Sequence, residues 1–98
     1  MNVVLEDDAK QDLRDSFHFY EADEPGAGRY FLDKIQEELQ TLGGFGGVHR
    51  QRFGFHFYAS KHFPHGVYYR TKNDTVQIVA IIDSRRDPKL IRKILRQR

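Results

Sequence analysis

The side chains best suited to chemistry or to ligand recognition alternate along the second half of the chain. Over residues 50–58, Arg50, Arg52, His56 and Tyr58 hold even positions. In one unbroken strand they point the same way, opposite Phe53, Phe55 and Phe57. Farther on, Tyr68, Arg70 and Lys72 share a face, opposite Val67, Tyr69 and Thr71. Extending the parity along the last apolar stretch brings Arg85 to the same side. Guanidiniums make bidentate contacts with phosphates and carboxylates, and tyrosines stack on bases or donate hydrogen bonds. One sheet face is therefore expected to collect Arg52, His56, Tyr58, Tyr68, Arg70 and Arg85 as a basic, aromatic recognition surface. The competing expectation is an ordinary solvated sheet face.

Other chemistries find less support. There is no cysteine, which removes disulfides, thiolate nucleophiles and Cys-based metal sites and fits a reducing cytosol. Five histidines are present, at 18, 49, 56, 62 and 65, without a metal-binding spacing. His62 and His65 flank Phe63-Pro64, where exposed loop histidines are expected rather than a metal pair. The serines, Ser16, Ser60 and Ser84, lack a nucleophile elbow. GGFGG at 43–47 is not followed by the Lys-Ser/Thr and helix that a phosphate-cradling loop requires, so it reads as a break between helix and sheet. No cofactor or metal is expected.

These residues need a scaffold, and the sequence supplies one. Ninety-eight residues make one domain, 1–98, and no apolar run is long enough to span a membrane. The start, MNVVLEDD, lacks the pattern of a signal peptide. Residues 1–48 hold 4 Lys+Arg against 11 Asp+Glu, whereas residues 49–98 hold 12 against 3. Such a split points to an anionic partner for the second half, or to two halves that neutralise each other.

Residues 2–5 form a strand candidate. Asp7 or Asp8 then caps a helix with Ala9, Leu13, Phe17 and Tyr20 on one side, ending near Glu24-Pro25-Gly26. A second helix, from about 27 to 42, carries Phe31, Ile35, Leu39 and Leu42, with its acidic residues turned to solvent. The pair reads as an antiparallel hairpin. Strands follow over 52–58, 67–72 and 75–83, with a two-residue Asn73-Asp74 turn. In the last strand Val76, Ile78, Ala80 and Ile82 are expected on one face, Val79 and Ile81 on the other. Asp87-Pro88 starts a short helix with Leu90, Ile91, Ile94 and Leu95 on its apolar side and Arg92, Lys93, Arg96 and Arg98 on its basic side. The fold class is α+β: an N-terminal strand, a helical hairpin on a mostly antiparallel four-stranded sheet, and a short C-terminal helix. The Phe53/Phe55/Phe57 face is expected beneath the hairpin.

Three stretches together resemble the RelE/ParE toxin superfamily. FYEADEPGAGRYFLDKI (19–35) is similar to its hairpin at Tyr20, Glu21, Pro25, Gly26, Gly28 and Phe31. HFPHGVYYR (62–70) and VQIVAIIDSRRDP (76–88) resemble its later strands and its Arg-x-Pro ending. The resemblance implies a bacterial, cytoplasmic toxin of a type II toxin–antitoxin pair, held as a hetero-oligomer by a cognate antitoxin protein. RelE-like members cleave mRNA on the ribosome; for that chemistry Arg50, Arg52, Lys61, Arg70 and Arg85 are the cationic candidates, with His56 or Tyr58 for proton transfer. ParE-like members poison DNA gyrase instead. The Arg85-Arg86-Asp87-Pro88 ending lacks the aromatic or His-Tyr pair of the ribonuclease branches, so the resemblance favours the ParE-like branch. Candidates for contact with target or antitoxin are then Arg50, Arg52, Tyr68, Arg70, Arg85, Arg86 and Arg92.

Overall fold

The computed structural model describes residues 1–98. The chain runs β1 (Asn2–Leu5), α1 (Asp7–Asp23), α2 (Ala27–Phe45), β2 (Gln51–Arg52), β3 (Phe55–Ala59), β4 (His65–Lys72), β5 (Thr75–Asp83) and α3 (Pro88–Arg96). The strands form one sheet in the order β1-β5-β4-β3-β2. All pairings are antiparallel except β1 with β5, which is parallel. The α+β class holds, with five strands instead of four. No helix is long and apolar enough to cross a membrane.

The apolar stripes fold as their spacing dictates. Phe31, Ile35, Leu39 and Leu42 are buried on α2, and Ala9 and Leu13 on α1. They cover Val67, Tyr69, Val76, Ile78 and Ile81 to form the larger core. The helices approach closely because residue 28 is glycine: a Cβ there would lie 2.7 Å from the Phe17 carbonyl oxygen. Glu21 closes the hairpin turn by accepting from the amides of Gly26 and Gly28. Helix α2 extends through Gly43 and Gly44 to Phe45, three residues past the expected end at Leu42 and into the expected break. The α1 N-cap position is Glu6, and Asp7 and Asp8 sit in the first turn instead, where carboxylates favour the helix dipole. Asn73 and Asp74 both have positive φ, as a tight hairpin turn demands, and Asp87 caps α3 by accepting from the Lys89 amide at 2.9 Å.

Three expectations about the strands fail. The strand expected over 52–58 is broken by a turn at Phe53 (φ 56°) and Gly54 (φ 86°), which folds β2 back on β3. Strand β5 is bulged: Tyr68 faces Ala80 and Tyr69 faces Ile78, so Val79 has no partner. The bulge switches the alternation. Val76 and Ile78 stay with the hairpin core, but Val79, Ala80 and Ile82 join Tyr68, Ile91 and Leu95 in a second core under α3. Phe53, Phe55 and Phe57 pack against that second core, not beneath the hairpin.

Past the end of β1, which pairs only as far as Leu5 with Ile78, a side-chain hub takes over the β5 edge. The Asp12 carboxylate accepts from the Ile81 amide at 2.9 Å and from both Arg98 terminal nitrogens at 2.7 and 3.0 Å. Arg98 also donates to the Val79 carbonyl at 2.9 Å. Arg98 thus turns inward instead of joining the basic side of α3. Each of the two side chains is only 15% exposed. Removing one partner strands the other, so Asp12→Ala should lower stability by about 2–4 kcal/mol. Asp33→Ala, which breaks an exposed 4.0 Å contact with Arg29 on α2, should change it by less than about 0.5 kcal/mol. Urea unfolding of both variants checks this, and equal midpoints would refute the role given to the hub.

Candidate functional site

The sheet distributes the expected surface over three places. On β3, His56 and Tyr58 lie opposite Tyr69 and Val67 of β4, whose side chains belong to the hairpin core. Tyr68 and Arg70 alternate to the far side, where Phe55, Phe57 and α3 lie. His56 and Tyr58 are therefore on the opposite sheet face from Arg52, Tyr68 and Arg70. Arg85 leaves the set as well. It sits in the turn after β5 and grips Asp83 with bonds of 2.7 to 3.3 Å, which hold the Asp83 carboxyl below the usual carboxylate range. Arg86 lines a cleft between α1, the end of β5 and α3, together with Ser16, Tyr20 and His65. Arg50 is exposed, and no carboxylate lies within ion-pairing distance of it.

On the hairpin side the polar groups satisfy one another. Glu38, expected on the solvent face of α2, is buried at 6% exposure. Its carboxylate accepts from Tyr58 Oη at 2.7 Å, Ser60 Oγ at 2.8 Å and the Lys61 amide at 2.7 Å, and pairs with His62 Nδ1 at 3.2 Å. Burial works to raise its pKa, but these bonds outweigh burial and hold the carboxyl below its ordinary value. Burial and the Glu38 charge push the Tyr58 hydroxyl up to about 12. A phenol so placed stays protonated at neutral pH and is committed to Glu38, which makes it a poor proton acceptor. His56 Nδ1 meets the His49 carbonyl at 2.7 Å, and its ring stacks on Tyr69. Glu38 and its partners pin the β3–β4 loop to α2.

The far side of the sheet is different. The Arg52 guanidinium lies over the rings of Phe53 and Phe57, at 5.4 and 5.0 Å from their centroids. Arg92 of α3 lies over Phe53 at 5.3 Å, and Arg70 over Phe55 at 5.9 Å. Arg70 is held by Glu6 at 2.6 Å and Gln77 at 3.0 Å. Arg52, Arg92, Lys93 and Arg96 have no carboxylate partner and are exposed. Tyr68 is fully buried beneath this surface with no partner for its hydroxyl, and burial raises its pKa. Phe53 holds the left-handed conformation despite its bulk, at a cost on the order of 1–2 kcal/mol. Stacking between Arg52 and Arg92 is what its position secures.

Sequence reasoning gave Phe53 to the core and did not separate the two faces. The available signal was Gly54: a glycine within a strand pattern marks a bulge or a turn. His62 and His65 do not converge either. His62 joins Glu38, while His65 is buried on β4, with Nε2 3.3 Å from Ser16 Oγ and Nδ1 unpartnered. His65 was expected on an exposed loop. Burial holds it below the ordinary histidine value, against the opposing pull of Asp83 and Asp12. Its neutral form is therefore the folded one. Stability should be full above about pH 6.5 and fall as pH drops below it, because the unfolded chain then binds the extra proton. His49, also lowered by burial, acts in the same direction. Urea midpoints between about pH 7 and pH 5 should show this decline, and His65→Gln should flatten it while lowering the midpoint near neutrality. An unchanged slope in that variant would remove His65 as the cause.

The family model described as ParE toxin of type II toxin-antitoxin system, parDE, matches residues 3–88. The solved structure of the chromosomal ParDE TA system from P. aeruginosa is similar with a TM-score of 0.73 at 19% identity, over 85% of this chain and 95% of that chain. At this identity the likeness shows the fold. No curated protein matches the chain.

Proposed function

The chain belongs to the ParE toxin family of type II toxin–antitoxin systems, and from that premise we propose that residues 1–98 act as a single-domain cytoplasmic toxin that poisons DNA gyrase and is neutralised by a cognate antitoxin. The observation that carries the choice of target is the division of the sheet. Cleavage of RNA needs a proton acceptor and phosphate-binding cations within reach of one bond. Here His56 and Tyr58 lie on one face, and Arg52, Arg70 and Arg92 lie on the other. Of the other cations of the ribonuclease reading, Arg85 is occupied by Asp83, while Arg50, before β2, and Lys61, after β3, stand on the segments flanking these strands. A gyrase poison needs no such convergence, only a surface that engages its target.

An antitoxin is accommodated elsewhere on the chain. A groove of about 650 Å³ between the hairpin helices has Leu5, Leu13, Phe17 and Leu32 as apolar lining and Lys10, Arg14 and Arg29 as basic lining. An acidic, amphipathic segment that orders on binding suits it, because the apolar lining offsets part of the ordering entropy.

The proposal predicts the order of events when the protein is induced without antitoxin. Pulse-labelling within minutes should show DNA synthesis falling before protein synthesis. His56→Ala and Tyr58→Phe variants that fold should remain toxic. If protein synthesis falls first, and those variants lose toxicity while folded, the RelE-like ribonuclease reading replaces this one.

A further inference from the structure

We propose that the surface formed by the β2–β3 turn and α3 binds the phosphate backbone of duplex DNA directly, without reading its sequence. This deepens the gyrase reading, on which its setting rests. Four features of the surface lead to it.

The first is charge without counter-charge. Arg52 and Arg92 lie against the same Phe53 ring, and neither has a carboxylate within ion-pairing distance. On α3, Lys89, Arg92 and Arg96 follow at intervals of three and four, so they form a stripe along one side of the helix. The acidic residues nearest in sequence are engaged: Asp87 caps α3, and Asp83 holds Arg85.

The second is preorganisation. A guanidinium stacked on a ring is fixed in orientation while its N–H edges stay free for bidentate contact with phosphate oxygens. The strained Phe53 backbone keeps that ring at the tip of the turn.

The third feature separates backbone recognition from base recognition. Proteins that hold single strands stack bases on open aromatic faces. Here guanidiniums already lie over the rings of Phe53, Phe55 and Phe57. What is presented outward is charge, which suits phosphates and confers no base preference.

The fourth separates DNA from an acidic peptide. A disordered segment that orders on a surface needs apolar area to offset its lost entropy. Of the large apolar residues exposed on this protein, only Leu90 belongs to this region; Val4 lies on β1 at the opposite edge of the sheet, and Met1, Phe19, Tyr30, Phe45 and Val48 belong to the N-terminus, the hairpin and the loop after it. A duplex is already ordered and needs only cations at its phosphates.

The test is fluorescence anisotropy of a labelled duplex of about 30 base pairs, in two unrelated sequences, with the full chain at about 50 and 200 mM salt. Both sequences should bind equally and lose affinity steeply with salt. Arg52→Ala/Arg92→Ala should weaken binding at least about tenfold and reduce the salt slope by about 0.9 for each phosphate contact removed. Lys34→Ala/Lys61→Ala, which removes the same charge from α2 and the β3–β4 loop, should leave binding within about twofold. Thermal melts confirm that each variant is folded.

No binding at low salt, or equal losses in the two double variants, overturns the proposal. So does displacement of the duplex by a polyglutamate peptide that binds more tightly through Arg52 and Arg92. A parallel gyrase assay distinguishes the two levels of the argument. If the wild type stabilises no cleaved DNA, the gyrase reading falls, whatever the duplex result. If the wild type does so and Arg52→Ala/Arg92→Ala does so equally well, only the DNA-contact proposal falls.

Discussion

The structure depends on how β5 is completed along its length. This strand is apolar on both faces and needs partners on both edges. Strand β4 supplies one edge along β5 except at the Val79 bulge, but β1 covers the other only as far as Ile78. Beyond that point the Ile81 amide and Val79 carbonyl would be buried without partners, which typically costs on the order of 1–3 kcal/mol for each group. Asp12 and Arg98 meet them with a charged, bidentate pair. One interaction thereby joins the first helix, the central strand and the residue two positions past the end of α3. The bulge at Val79 lies at the same place. By turning Val79 and Ala80 together to the α3 side, it gives that helix an apolar seat for Ile91 and Leu95. Without the bulge the sheet would present one alternating set of side chains to the hairpin and leave α3 little to pack on.

Much of this was legible in the sequence because it follows from period and composition. The stripes of α1 and α2, the tight Asn73-Asp74 turn and the Asp87 cap each depend on residues close in the chain. The sidedness of the sheet was not legible in the same way. Parity arguments carry a face assignment only while the alternation is unbroken. Two interruptions, the Phe53-Gly54 turn and the Val79 bulge, each shift the count by local geometry that apolar patterning does not record. Phenylalanines at 53, 55 and 57 look like core in either case. Which core they join depends on where α3 lies, and that contact is long-range. Glu38 was misplaced for a related reason: on α2 it looks like one more solvated carboxylate, and only the returning 58–62 segment gives it four partners.

The separation of faces also explains why residue types alone gave two functional readings. Arginine, histidine and tyrosine are the common material of phosphate recognition and of proton transfer, and sequence supplies both kinds here. Chemistry requires them to converge within hydrogen-bond reach of one bond. In this fold histidine and tyrosine are spent on structure. Glu38 holds Tyr58 and His62, and the His49 carbonyl holds His56. The arginines on the other face are held by ring stacking, which fixes them without neutralising them. A group bound to a carboxylate has lost most of its attraction for an incoming anion, whereas a group stacked on a ring retains it.

That distinction bears on the charge asymmetry between the halves of the chain. Were the two halves neutralising each other, the cations of the second half would pair with the carboxylates of the first. Only Arg70 with Glu6, Arg98 with Asp8 and Asp12, and His62 with Glu38 do so. Those contacts join secondary-structure elements, so they are positional. The remaining cations of α3 and the β2–β3 turn face solvent on one side of the molecule, while the exposed carboxylates of α1 and α2 belong to the hairpin layer across the sheet. The sheet lies between the two charged layers and keeps them apart. The protein is nearly neutral as a whole, at +2, yet it offers an anionic partner one strongly basic face. A near-neutral total limits non-specific attraction at long range, where screening leaves little, and the local field decides orientation once contact is made.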